Sequence, residues 1–366
     1  MELESIIRNL RKIKTWIVAF VLLASLSFGV VVFAADDDQD DATLRVMTQN
    51  LFMGTDFPEL IAAKTSEEFI QAVTTTYNNV IATKPAERMA AIAQEIAQRK
   101  PDLIGLQEAA ILRTGSPAAT NVKFDMLQIL LGELNRLRQP YTAVAILLGL
   151  DAEAPSSSEE LGNVRFTVQD VILVRNNSLA GKFRLSNVQT SPYKAQLTVP
   201  TAIGPITNVA GWAAVDGQAG GRGFRFVTTH LAITPNFDAT IALAQAQELR
   251  DTAGNTSLPV VFVGDFNSVA SDRNNPTFAT YKSFLDAGFA EIWLQTRSVD
   301  PGFTCCQSPN VRNSASSLSQ RIDLIFVRGQ ISGINASLVG DKQNERTPSG
   351  LWPSDHAGVI AKLNGV

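Results

Sequence analysis

Residues 260–267 read Val-Val-Phe-Val-Gly-Asp-Phe-Asn. Four consecutive β-branched or aromatic side chains make a short buried strand, and a glycine then delivers Asp265 and Asn267 at its end. A carboxylate or amide at the end of a buried strand costs free energy unless it is paired, hydrogen-bonded or bound to a cation. Taken alone, such a residue is most often a turn or a helix cap.

The same arrangement recurs along the chain. Asn50 follows the strand Leu44–Met47, Glu108 follows Leu103–Leu106, and His230 ends the run Phe226-Val227-Thr228-Thr229-His230. Asp323 interrupts Arg321-Ile322-Asp323-Leu324-Ile325-Phe326, while Asp355 and His356 open the last strand after a loop. The chain has 2 histidines, and both stand in this set. Independent caps would each have to fall on a polar strand end by chance; strand ends converging on one site account for all of them.

Between these strands the apolar pattern switches period. From Pro85 onward Met89, Ile92, Ala93 and Ile96 lie on one helical face, broken by Lys100-Pro101-Asp102, and Leu127, Leu130, Leu131 and Leu134 repeat the spacing. Strand-like runs follow at Tyr141–Leu148, Phe166–Val174, Phe224–Thr229, Val260–Val263, Ile322–Val327 and Gly358–Leu363, with a helix expected over Ala239–Arg250. Many strands with fewer helices predict an α+β protein of sheets stacked face to face with helices outside. Residues 54–84 read as an added helical segment and residues 149–163 as a Pro/Ser-rich loop.

Composition excludes several classes. With 366 residues, 45% hydrophobic and 18% charged, the chain can bury a large core, which rules out a disordered, collagen-like or coiled-coil protein. Lys and Arg number 31 against 35 Asp and Glu, a net charge of -4, so there is no basic footprint for gripping a polyanion by charge alone. Cys305 and Cys306 are the only cysteines, too few for a disulfide framework or a structural zinc site.

The N-terminus carries Arg8, Arg11, Lys12 and Lys14, then an uncharged run from Thr15 to Ala35, then the acids Asp36, Asp37, Asp38, Asp40 and Asp41. This predicts a signal peptide over 1–34, cleaved after Val32-Phe33-Ala34, an acidic linker over 35–43 and a domain over 44–366, in a secreted or extracytoplasmic protein. The run also approaches the roughly 20 residues that span a bilayer, so an uncleaved N-terminal membrane anchor is the alternative.

The strand-end residues support a definite chemistry. Asn50, Glu108 and Asp355 offer hard oxygen ligands of the kind that suit Mg2+, or Mn2+, rather than zinc. His356 beside a carboxylate such as Asp323 is an imidazole oriented for proton transfer. Asp265 can hold or deprotonate a water, Asn267 can donate to a phosphoryl oxygen, and His230 is a second donor or general acid. Together these parts describe metal-assisted, in-line hydrolysis of a phosphate ester.

In order and rough spacing, Thr48-Gln49-Asn50-Leu51, Leu106-Gln107-Glu108, Thr229-His230-Leu231, Gly264-Asp265-Phe266-Asn267, Arg321-Ile322-Asp323 and Ser354-Asp355-His356 resemble the endonuclease/exonuclease/phosphatase superfamily. That superfamily includes secreted DNases, abasic-site endonucleases, neutral sphingomyelinases and inositol polyphosphate 5-phosphatases. The resemblance implies a four-layered α/β/β/α sandwich of two packed mixed sheets, with the active site at one end of them. It also implies Asn50, Glu108 and Asp355 as metal-site residues, Asp265 and Asn267 as the pair that positions nucleophile and phosphate, Asp323 with His356 as a carboxylate–imidazole dyad, and His230 as the histidine of the DNase and sphingomyelinase branch.

Three further features adjoin this set. Asp170, within Thr167-Val168-Gln169-Asp170-Val171, is either a site residue or a solvent-facing strand position. Arg321 and Arg328, flanking a strand, read as surface ion-pair partners. Cys305 and Cys306 form either a vicinal disulfide shaping a loop near the substrate or two half-buried thiols.

The substrate class stays open at this level between nucleic acid and a phospholipid head group, with no stable protein partner implied. Excess acid argues modestly against tight DNA binding. A lipid-cleaving enzyme needs an exposed apolar loop, for which Leu351-Trp352-Pro353 is the nearest candidate. A catalytically inactive binding module on the same fold is the competing reading. It requires erosion at one or more polar strand ends, and every one of them keeps its functional side chain.

Overall fold

The computed structural model describes residues 43–233, 239–297 and 299–365. The expected signal peptide and most of the acidic linker lie outside the described residues, although Thr43, assigned to the linker, already belongs to the first strand. The strands in chain order are β1 (Thr43–Asn50), β2 (Leu103–Gly115), β3 (Asn121–Asp125), β4 (Tyr141–Pro155), β5 (Asn163–Arg175), β6 (Phe183–Pro192), β7 (Leu197–Thr201), β8 (Gly204–Asn208), β9 (Gly211–Ala219), β10 (Arg222–His230), β11 (Val260–Asp265), β12 (Ala290–Glu291), β13 (Asp323–Arg328), β14 (Ser332–Val339) and β15 (Gly358–Asn364). The helices are α1 (Pro58–Ala62), α2 (Ser66–Ala82), α3 (Pro85–Arg99), α4 (Met126–Arg136), α5 (Asn176–Gly181), α6 (Thr240–Asp251), α7 (Phe278–Asp286) and α8 (Ile292–Thr296).

Two mixed sheets result. One runs β14-β15-β1-β2-β5-β4 with β3 on β2, and the other runs β12-β13-β11-β10-β9-β6; β7 and β8 form a separate pair. The opening stretch explains why they stack. Successive side chains of a strand point to opposite faces. In β11, Val261 and Val263 enter the core between the sheets with Leu44, Val46 and Ile172, while Val260 and Phe262 enter a second core under α6 and α7. On the far side Met47, Ile104, Leu106 and Leu173 meet Met89, Ile92 and Ile96 of α3 and Leu127, Leu130 and Leu134 of α4. The order is therefore helices, sheet, sheet, helices, as expected. The sheets touch closely at Gly105, where an added Cβ would stand 2.5 Å from both Thr228 Oγ1 and Val263 Cγ2.

Several sequence expectations need correction. Residues 149–163 do not form one loop, because β4 continues to Pro155 and pairs with β5 through Pro155↔Asn163. Arg321 is buried, not superficial; its Nε donates to Glu291 Oε1 at 2.8 Å. Leu351 and Trp352 are fully buried against Phe52 and Val311 and form no exposed apolar loop. Among the described residues no helix is long and apolar enough to cross a membrane.

Candidate active site

Parallel pairing sets the site. β1 runs parallel to β2, and β10 runs parallel to β11, so Asn50 ends beside Gln107 and His230 ends beside Asp265. Antiparallel β13 starts opposite the same point, with Asp265 paired to Asp323. Strand β2 bulges between Leu106 and Ala109, and Glu108 sits there at φ 59. A bulge re-aims one side chain, and the left-handed backbone of a residue other than glycine is strain typical of functional positions. Asn267 shares the feature at φ 47.

The eight expected residues form one connected network. Asn50 Nδ2 donates to Glu108 Oε1 at 3.0 Å and to Asp265 Oδ2 at 3.2 Å, while its Oδ1 accepts from the Phe52 N–H. Asp265 Oδ1 accepts from the Asn267 N–H at 2.9 Å. Asn267 Nδ2 donates to the Leu231 carbonyl and lies 3.2 Å from His230 Nε2. His230 Nε2 is 3.5 Å from Asp265 Oδ2. His356 Nδ1 donates to Asp323 Oδ2 at 2.8 Å and is 3.9 Å from Asp265 Oδ2, and its Nε2 is 3.9 Å from Asp355 Oδ1. Ser354 Oγ ties the last segment to the first by donating to the Asn50 carbonyl at 2.7 Å.

Asp170 joins this set rather than facing solvent. It is 8% exposed, and its Oδ1 accepts from the Glu108 N–H at 3.4 Å. Burial pushes its carboxyl up to about 6. The loop Gly302–Cys306 also belongs to the site's edge. The backbone of Cys305 bridges that of His356, the Ala357 N–H donates to the Thr304 carbonyl, and Thr304 Oγ1 accepts from the Asp323 N–H. The sulfurs of Cys305 and Cys306 are bonded to each other, as in the first of the two readings.

The electrostatics are those of a buried, acid-rich cluster. Burial pushes Asp355 up to about 7, with Glu108 and Asp56 adding to the effect against His356. Burial and the neighbouring Asp323 raise Asp265. Burial works against charge on both histidines, but the carboxylates prevail: Asp323 and Asp355 hold His356 well above the ordinary imidazole value, and Asp265 and Asp170 raise His230.

The donor set fits a hard divalent ion. Glu108 and Asp355 offer carboxylate oxygens whose mutual repulsion a bound cation relieves, while Asn50 turns Nδ2 toward Glu108 and keeps Oδ1 on the Phe52 N–H. Asp265, Asp323 and His356 lie close enough together to hold an ion. There, however, Nδ1 of His356 is already committed to Asp323, an arrangement suited to a dyad.

Sequence reasoning did not single out Arg88. It lies four residues before Ile92, on the face of α3 that carries the core side chains, and an arginine at a core position of an amphipathic helix was the available signal.

Comparison with known proteins bears on the family and the fold. The sequence profile of the endonuclease/exonuclease/phosphatase family matches residues 47–356. Similar solved structures include a family protein from Leptotrichia buccalis, 14% identical, covering 88% of this chain and all of that one with a TM-score of 0.55. A Bacteroides thetaiotaomicron family protein is 16% identical, with 88% and 97% covered and a TM-score of 0.52. D. rerio TDP2, solved with a single-strand DNA product, is 16% identical, with 88% and 99% covered and a TM-score of 0.51. No curated protein matches by sequence.

Proposed function

The chain belongs to the endonuclease/exonuclease/phosphatase family, and on that premise we propose that it is an exported, Mg2+-dependent phosphodiesterase acting on nucleic acid. The observation that carries the catalytic reading is the single hydrogen-bonded network joining Asn50, Glu108, Asp265, Asn267 and His230, with the Asp323–His356 pair against Asp265.

Glu108 and Asp355, with Asn50 alongside, would hold a divalent ion, which would supply positive charge to the scissile phosphate and lower the cost of attack. The chain's own groups do the rest. Asp265, steadied by the Asn267 N–H, holds the attacking water and takes its proton. His356, kept protonated by Asp323, directs positive charge at the phosphoryl oxygens as charge builds there, and His230 adds a donor.

Nucleic acid is favoured over a phospholipid because Leu351 and Trp352, the segment nearest in type to a membrane-entering loop, are buried. A fold neighbour holds a single-strand DNA product. Export is inferred from the basic, apolar and acidic sequence of the first 41 residues.

The test is release of p-nitrophenol from bis-p-nitrophenyl phosphate with Mg2+, with chelator, and with His356→Ala. Mg2+-dependent release lost in the other two tubes supports the reading, and equal release in all three leaves the inactive binding module standing. Plasmid DNA, single-stranded DNA, RNA and sphingomyelin liposomes incubated side by side then decide the substrate; cleavage of the liposomes alone would refute the nucleic-acid assignment.

A further inference from the structure

Arg88 is among the largest side chains that are fully buried, with 0% exposure, and it lies beneath the site on α3. Its Nε donates to the Thr83 carbonyl at 3.0 Å. Nη1 donates to the Leu51 carbonyl at 2.8 Å and the Pro353 carbonyl at 3.1 Å, and Nη2 donates to the Phe52 carbonyl at 2.8 Å and Thr83 Oγ1 at 3.5 Å. The guanidinium carbon stands 5.2 Å from the centre of the Phe52 ring.

Every one of these partners is neutral. A buried charge is normally matched by a bonded counter-ion, since removing a guanidinium from water is costly. The charges that act on Arg88 are instead Asp355 and Glu108, which it does not touch. Burial pulls it down to about 10, so it stays charged at neutral pH. The carbonyls it holds belong to two segments far apart in sequence. Leu51 and Phe52 directly follow Asn50, and Pro353 stands two residues before Asp355. An apolar side chain of similar volume would fill the space but would leave these buried carbonyls without donors.

We propose that Arg88 is a positioning residue of the ion site: it fixes the backbones that present Asn50 and Asp355 at the spacing an ion requires. This rests on the assignment of Glu108 and Asp355, with Asn50 alongside, to the ion site. The planar fork is what the arrangement needs. Lysine keeps the charge but cannot span Thr83, Leu51, Phe52 and Pro353 together.

The experiment measures Mn2+ binding to the full chain by electron paramagnetic resonance, in wild type, Arg88→Lys and Arg88→Gln, alongside kcat and KM on bis-p-nitrophenyl phosphate. In folded variants the Mn2+ Kd is expected to rise at least tenfold, with lysine failing to rescue and kcat falling at saturating substrate. A wild-type Kd in either folded variant overturns the proposal. Should both variants fail to fold, amide hydrogen exchange of the wild type decides. Residues 50–53 and 352–355 are expected to be protected without metal, and fast exchange there that slows only with Mn2+ overturns the clamp. Absence of Mn2+ binding in the wild type would remove the ion-site assignment itself, a distinct failure.

Discussion

Replacing Asp323 with asparagine removes one negative charge from the dyad and changes almost nothing else. The carboxylate is 1% exposed, and Oδ2 receives the His356 Nδ1 proton at 2.8 Å. A hydrogen bond to a charged group is worth about 1.5–3 kcal/mol, which is about 10- to 150-fold in the population of a correctly held imidazolium at 1.36 kcal/mol per decade. Lost orientation adds to this, because the amide can turn its NH2 toward Nδ1 and impose the other tautomer. The expected result for Asp323→Asn is a fall in kcat of about 100- to 1,000-fold on bis-p-nitrophenyl phosphate, the range for losing one donor that stabilises charge in the transition state, with KM little changed. The pH profile carries the sign. His356 is held well above its ordinary value, first by Asp323, so its proton persists past neutrality in the wild type. In the variant the alkaline limb should move to lower pH. The fold should survive, since losing the His356 contact is partly offset by relief of the Asp323 charge that raises Asp265. A folded Asp323→Asn protein with kcat within threefold of wild type and an unmoved alkaline limb would refute the dyad.

Glu95 is buried on α3 with neither carboxylate oxygen hydrogen-bonded, and burial, then Glu345 and Asp341, raise it well above its ordinary value. A raised carboxyl favours the fold at low pH and loses that contribution as pH climbs through its folded value. Glu95→Gln should therefore melt higher than wild type at pH 8 and no higher at pH 4 in calorimetry, and a lower midpoint at pH 8 would count against this. Gly105→Ala drives a Cβ into Thr228 and Val263 at 2.5 Å and should cost about 1–3 kcal/mol in urea denaturation; a neutral effect would mean that the sheets are spaced more loosely. Arg321→Ala strands the buried Glu291 and should cost about 3–5 kcal/mol by the same measurement, whereas the sequence reading of a surface arginine expects little change.

That contrast shows what the sequence carried. Asp265, Asn267, Asp323 and His356 were legible because polar side chains stand out at the ends of apolar runs whose burial is forced. The helical face of Met89, Ile92 and Ile96 was legible for the same reason. Arg88 and Arg321 were not, because each is a cation whose burial depends on acceptors brought from distant segments, Pro353 in one case and Glu291 in the other. The second half of β4 was misread because an edge strand with Asp151 and Glu153 alternating outward resembles a loop in composition. Strands β6 to β8 went unread for a similar reason: they alternate half-buried with exposed residues and bring no apolar run. Asp170 stayed ambiguous because its orientation is set by strand bulges, not by its neighbours' identities.

The central claim is that distant oxygen ligands gather around one divalent ion. It is tested most directly by anomalous diffraction from crystals soaked in Mn2+. The expected result is one strong peak about 2.1–2.2 Å from carboxylate oxygens of Glu108 and Asp355, an ordinary distance for a small divalent ion bound by oxygen. A peak bonded instead to Asp323 and His356, or no peak with both carboxylates ordered, would contradict the account.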